Sequence, residues 1–505
     1  MIAEYKGVFG KHDINVLGGW SAEENLYEDL QGKRTNIVGN ELPALNLGDT
    51  DGWSNAADEN EWALLSGFMR ASYAFAAKYL VEVNFRADAS SRFSKKNRWG
   101  VFPSASVGWR ITEEKFMQNQ HIFDNLKLRA SWGQLGNQNG LGLYDHIASY
   151  NINGYYPFKS ELGQWAVISK LPSESRTWET VEVKNIAVDM AFLRNRLTVT
   201  GEYFIKKNKD MLVSIEIPSI IGIDVPTGNY GELKVKGWEV TVGWQDKIKD
   251  FSYGARFNLS DQKDKLVDYG VEYNGFVAGV NQKVQGYSLG SIFGYRTDGY
   301  FTSEEEVKNS AAFNKAITGV GDIKYIDKDG DGKISAPNDL EYLGTTTPRY
   351  TFGLNLTAAW KGFDLGVLLQ GVGKRNFYLS SEVMNPYYAT WNNFSYKMHN
   401  DYWTPENPNA AFPRYYAGAN HNYQISDHWL QNAAYVRLKN LQLGYTISPK
   451  LTKSWGIQRL RVYFSGDNLC EYSKLNDNFD PELSDINGYV YPIMRNFSFG
   501  INVTL

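Results

Sequence analysis

Along residues 197–206, Leu197, Val199, Tyr203 and Ile205 share one face of an extended segment, and Thr198, Thr200, Glu202 and Lys206 share the other. The last nine residues repeat the pattern: Phe497, Phe499, Ile501, Val503 and Leu505 make an apolar stripe opposite Ser498, Gly500, Asn502 and Thr504. Period-two alternation of this length predicts strands long enough to cross a membrane at a tilt. About fifteen such segments are expected, near 2–9, 14–28, 62–75, 79–89, 102–111, 126–134, 180–191, 197–212, 235–245, 251–266, 350–361, 363–372, 434–447, 460–470 and 495–505.

The connections alternate in length. Short ones at 10–13, 76–78, 194–196, 246–250 and 361–362 are each followed by a long one, such as 135–179, 267–349 or 373–433. Tight turns at one end and long loops at the other are the asymmetry of an outer-membrane barrel, whose loops lie outside the cell. The two faces stay consistent: Trp238, Val240, Val242 and Trp244 oppose Glu239, Thr241 and Gly243, and Phe352, Leu354, Leu356, Ala358 and Trp360 oppose Thr351, Asn355 and Thr357. Tyr79, Trp109, Trp132, Trp244 and Trp360 sit near strand ends, where interfacial aromatic girdles are expected. One strand breaks phase, because Val436 and Leu438 have the opposite parity to Leu441, Leu443 and Tyr445; a bulge near Asn440 would restore it. A soluble sandwich would bury the same apolar stripes between two sheets, and alternation alone leaves that reading open.

Composition narrows the field. In 505 residues there are 33 Tyr, 26 Phe, 15 Trp and 47 Gly, which favours strands and turns and is too apolar for disorder. The 52 basic and 56 acidic residues give a net charge of -4, so no basic field points to nucleic acid, and no phosphate-binding glycine motif occurs. A single cysteine, Cys470, excludes a disulfide framework, and the six His show no zinc spacing. No Ser, His and Asp grouping with persuasive spacing supports an enzyme. No apolar run reaches the ~18 residues of a membrane helix, so spanning would be by barrel.

Several long runs resemble the SusC/RagA family of TonB-dependent outer-membrane transporters of Bacteroidota: RADASSRFSKKNRWGVFPSASVGWRITEE from Arg86, LKLRASWGQLGNQNG from Leu126, VQGYSLGSIFGYRTDGYFTSEEEV from Val284, GDIKYIDKDGDGKI from Gly321, TPRYTFGLNLTAAWKGFDLGVLLQG from Thr347 and AYVRLKNLQLGYTI from Ala434. The resemblance implies an all-β, transmembrane antiparallel β-barrel of about 22 strands, of which residues 1–505 supply about fifteen from the C-terminal portion. An awkward odd count and a first strand expected to run inward from outside suggest that an upstream partner strand, a plug and a TonB box belong to a region before Met1. The family's role is import of glycan oligomers or peptides across the outer membrane of a Gram-negative bacterium, with a SusD-like lipoprotein as a lid and the TonB complex engaged only through that N-terminal region. A truncated, non-transporting remnant and a secreted carbohydrate-binding β protein are the alternatives.

The sharpest chemical motif is Asp327, Asp329 and Asp331 at alternate positions, with Gly332 for the turn and the Lys333 carbonyl next. Oxygen donors at this spacing suit a structural Ca2+ in a long extracellular loop. Position twelve is Asn338, and Asp339 is the closing ligand that the resemblance implies. The aromatics Tyr155, Tyr156, Trp165, Tyr387, Tyr388 and Trp391 are candidates for stacking on substrate sugar rings. Ser498, Gly500, Val503 and Leu505 have the spacing of a barrel-assembly signal, and Glu304 to Glu306 read as a helix start after Ser303.

Overall fold

The computed structural model describes all residues except 38, 40, 42, 43, 160, 215–219, 221, 224, 225, 271–275, 388–396, 417, 484–490 and 492. Fifteen strands form one sheet in chain order. They are β1 (Ile2–Phe9), β2 (His12–Lys33), β3 (Ser54–Phe75), β4 (Tyr79–Ser90), β5 (Trp99–Arg110), β6 (Phe123–Asn137), β7 (Glu179–Phe192), β8 (Leu197–Val213), β9 (Gly228–Ile248), β10 (Phe251–Asp268), β11 (Arg349–Trp360), β12 (Phe363–Lys374), β13 (Tyr435–Thr446), β14 (Arg459–Ser473) and β15 (Asn496–Thr504). The fold is all-β, and each strand read from alternation is present.

Two compact units divide the chain: Met1–Trp109, Arg129–Lys184 and Lys206–Glu232 in the first, and Arg110–Leu128, Asn185–Ile205 and Leu233–Leu505 in the second. In the first unit the outward face runs Tyr5, Val16, Ala71, Val83 and Ala105 from strand to strand. At its short-turn end Phe9, His12, Phe75, Tyr79 and Trp109 lie level across five strands, so an aromatic row closes the apolar belt. In the second unit Tyr253, Ala358, Leu365, Leu443 and Phe464 continue across five strands. Phe251, Trp360, Phe363 and Tyr445 make the corresponding row at the short-turn end. Amphipathic rings placed in a line at one height suit an interface between hydrocarbon and water. Trp132 departs from this role, since its indole donates to Glu182 at 3.4 Å.

The phase break in β13 is a bulge. Leu368 pairs with Asn440 while Leu369 pairs with Leu438, which leaves Lys439 as the extra residue and keeps Val436, Leu438, Leu441 and Leu443 on one face. Several strands exceed the lengths read from alternation, β9 by ten residues, and β2 and β3 pair from His12 with Phe75 to Lys33 with Ser54. The added ends of β2 and β3, 29–33 and 54–61, are mostly polar on both faces, with Asp29 level with Asp58, so no stripe marks them.

The long connections fold on their own account. Residues 269–348 carry a three-stranded sheet of Gly279–Gln282, Ser291–Tyr295 and Leu340–Thr345, and the pair Thr297–Tyr300 with Ile323–Tyr325. Asn376–Tyr378 pairs with Leu430–Asn432. Around these, Ile292, Ile323, Leu340, Val383 and Trp429 are buried in the larger apolar cluster among the described residues. The helix Glu304–Asn309 starts as read: the Ser303 side chain accepts from Glu306 N–H, and the Glu306 carboxylate accepts from Thr302 N–H at 2.8 Å.

Candidate functional site

The aspartate-rich loop folds around its own carboxylates. Asp327 accepts from Gly330 N–H at 2.7 Å and Gly332 N–H at 2.8 Å, which its neighbours permit because Gly330 and Gly332 have φ of 75° and 85°. These backbone donors, Gly332 foremost, hold the Asp327 carboxyl below the usual carboxylate range. Asp339, buried, accepts from Lys328 N–H at 2.8 Å and Ser335 N–H at 2.7 Å, and so closes the loop across twelve positions. Carboxylate oxygens of Asp327, Asp329 and Asp339 lie within 4.8 Å of one another. Asp331 is outside that convergent set; its carboxylate accepts from Lys333 N–H at 2.8 Å. Three clustered hard oxygen donors fit Ca2+ better than a transition metal, which prefers nitrogen or sulfur.

The loop stands on a polar node that sequence reading missed. Asp322, fully buried, accepts from Arg414 Nε at 2.9 Å and Nη2 at 3.0 Å, Tyr416 Oη at 3.0 Å, His421 Nε2 at 3.0 Å, Asn422 Nδ2 at 2.9 Å and Gly319 N–H at 2.8 Å. Burial pushes the Asp322 carboxyl upward, but these donors outweigh it and hold the group well below the usual range. Burial, with the Asp322 charge beside it, pushes the Tyr416 hydroxyl up to about 12. The node ties the connection before β11 to the one before β13, so the loops form a preorganised body. In the first unit Asp145 has a similar part: Arg176 Nη1 at 2.6 Å and Lys170 Nζ at 3.0 Å bind it.

The candidate aromatics are not brought to one platform. Tyr155 and Tyr156 lie on the hairpin Ser149–Phe158 with Glu161–Lys170, exposed and on alternate faces. Trp165 lies flat over Gly154, where a Cβ would sit 2.0 Å from the ring. Tyr387, exposed, meets Tyr415 edge-on at 6.0 Å. Tyr388 and Trp391 lie outside the described residues. In the candidate assembly signal Ser498 is level with Ser465, Gly500 with Tyr463 and Val503 with Leu460, while Leu505 is exposed just past β15. Gly500 has a packing reason of its own, since a Cβ there would meet the Tyr463 ring at 2.4 Å. On the polar face of the second unit Thr198, Thr241, Arg256, Asn355, Asp364 and Gln442 border a cleft of about 1070 Å³.

A family model for the TonB dependent receptor-like β-barrel matches residues 4–469. The chain belongs to the TonB-dependent receptor β-barrel family. It is 30% identical over 530 residues to TonB-dependent receptor P26 of Formosa agariphila, an alignment covering 99% of this chain and 52% of that protein. To TonB-dependent receptor SusC of Bacteroides thetaiotaomicron it is 28% identical over 463 residues, 87% of this chain and 43% of SusC. The structure of the RagAB peptide transporter superposes with a TM-score of 0.84 at 24% identity, covering 99% of this chain and 54% of that one. The chain thus spans about half the length of the curated relatives it matches. The SusC/RagA resemblance of its motifs is borne out, and its relatives are receptors and transporters, not enzymes.

Proposed function

We propose that this chain supplies barrel wall and outer loops to an outer-membrane system for TonB-linked nutrient uptake. The observation that carries the reading is the cross-strand register: it keeps one face apolar and exposed, the other polar, over successive strands of each unit. Lipid outside and water inside is the solvent pair that such a wall requires. A soluble sandwich would have covered Phe499, which is 83% exposed. On this reading the long connections lie outside the cell, oligosaccharides or peptides are the substrates, a SusD-like lipoprotein covers the loops, and TonB energises uptake. Likeness to SusC and to the RagAB peptide transporter supports this choice. Deleting the gene should abolish growth on one oligosaccharide or peptide source, and removing TonB should have the same effect. Normal growth of the deletion strain on every such source would sink the proposal.

The Asp327, Asp329 and Asp339 cluster further supports a structural Ca2+ in the outer loop, with the Lys333 carbonyl and Asp331 as candidates to complete the shell. The ion would neutralise three converging carboxylates and stiffen the loop; no reaction step is assigned to it. Tyr155, Tyr156 and Tyr387 retain a proposed role as exposed stacking surfaces for sugars.

A further inference from the structure

Above the apolar belt of β9 and β10 the outward face changes chemistry abruptly. Going up β9 from the turn, Trp244, Val242, Val240 and Trp238 are followed on the same face by Lys236 and Lys234. Going up β10, Phe251, Tyr253, Ala255, Phe257 and Leu259 are followed by Asp261, Lys263 and Lys265. The intervening residues confirm which way this face points, because Leu233 and Leu266 are buried on the other side. The strands join through the two-residue turn Lys249 and Asp250, and a Cβ at Gly237 would touch the Asp261 carbonyl, as expected when Gly237 lies opposite Gln262. Counting outward, Lys236 is level with Lys263, and Lys234 with Lys265.

Like charges directly opposite on one face of an antiparallel pair repel. Nothing nearby relieves them. Among the described residues none of the four lysines has an ion pair or a side-chain hydrogen bond. Asp261 on the same face is engaged by Arg349, and Glu232, the next acid along β9, lies 3.7 Å from Lys207. Lys236 is only two residues beyond Trp238, about 7 Å along the strand, which puts its ammonium just outside hydrocarbon at the height of lipid headgroups. We propose that Lys234, Lys236, Lys263 and Lys265 form a binding site for phosphate-bearing anionic lipid headgroups of the outer leaflet. A phosphate bridging the two strands would turn mutual repulsion into shared attraction. Charge complementarity and continuity with the lipid-facing stripe select lipid over an acidic protein. The inference rests on the proposed barrel orientation, with long connections outside.

The test is reconstitution of the protein from detergent into vesicles of phosphatidylcholine alone or mixed with phosphatidylglycerol. Insertion into neutral vesicles, scored by protease protection, reports on the barrel; preference for anionic vesicles reports on the lysines. The change of all four lysines to Gln should lower that preference about a thousandfold without affecting neutral insertion. Lys263→Gln alone should have a smaller effect, and Arg256→Gln, on the opposite face of the same strand, none. Unchanged preference in the fourfold variant would overturn the site, as would an equal loss with Arg256→Gln, which would reduce it to net charge. Abolition of the preference by inorganic phosphate would make the ligand a free anion and also overturn it. Failure to insert even into neutral vesicles would instead remove the barrel reading, and the lipid site with it.

Discussion

Along the outward stripe of the strands large apolar side chains are bare, and in the core of the long connections they are buried. Phe499, Trp360 and Phe363 are 83%, 51% and 50% exposed, whereas Trp429 is 1% exposed and Ile292 and Leu340 are fully covered. One chain therefore folds by two rules. The connections gather a core as any water-soluble domain does, driven by removal of apolar area from water. The strands leave their apolar stripe outside because the surrounding solvent is hydrocarbon, and their stability rests on ladder hydrogen bonds that lipid cannot replace.

The contrast can be broken most severely from the loop side. Asp322→Ala strips the acceptor from Arg414, His421, Asn422 and Tyr416, and leaving buried donors such as Asn422 unpaired costs about 1–3 kcal/mol each. Limited proteolysis should then open the connections while the sheet keeps its heat-modifiable mobility on gels. The same site can be titrated. Its carboxyl is held low in the fold, so its contribution is complete above the ordinary carboxylate value of about 4 and is lost as pH falls from there toward the folded value. Loop protease resistance should decline over that acid range in the native protein and show a flatter profile in Asp322→Ala.

From the strand side, Leu356→Arg places a charge in the middle of the outward stripe and should cost about 2–4 kcal/mol in the membrane. Thr357→Arg, one residue on and facing the polar side, should be tolerated. The reverse order, read as yield of folded protein in outer-membrane fractions, would mean that the faces are exchanged. Calcium is expected to act on the loops alone: saturation at a hundred times Kd adds about 2.7 kcal/mol, seen as a rise in loop unfolding temperature that chelation reverses and Asp327→Asn abolishes. No shift with calcium would leave the acidic turn stabilised by its backbone donors only. The smallest effect belongs to Gly500→Ala, which must displace the Tyr463 ring and should cost about 1–3 kcal/mol, measured by urea unfolding in detergent.

The strands were legible because alternation is local: Val240 and Val242 announce their face without reference to any partner. So were the Asp327 loop and the Ser303 cap, whose donors and acceptors lie within a few residues. The loop core was not, since Asp322 meets Arg414, His421 and Asn422 across 92 to 100 residues, with no spacing to advertise it. The added ends of β2 and β3, 29–33 and 54–61, escaped for the opposite reason, being regular in backbone but mostly polar on both sides. The candidate aromatics show a third kind of limit, because exposure of a ring does not say what approaches it. Trp165 is occupied by Gly154, while Tyr155, Tyr156 and Tyr387 among the described candidates are exposed.

The extra residue at Lys439 makes the two faces behave like a reading frame. Loss of one codon elsewhere in β13, at Gln442 for instance, would exchange lipid-facing and lumen-facing side chains on one side of the lesion. Loss of Lys439 removes the one residue without a partner on β12 and leaves Leu438 and Leu441 on the face they already hold. In a wall where every other position is committed to one solvent, the bulge is the place where strand length can drift without rewriting the surface.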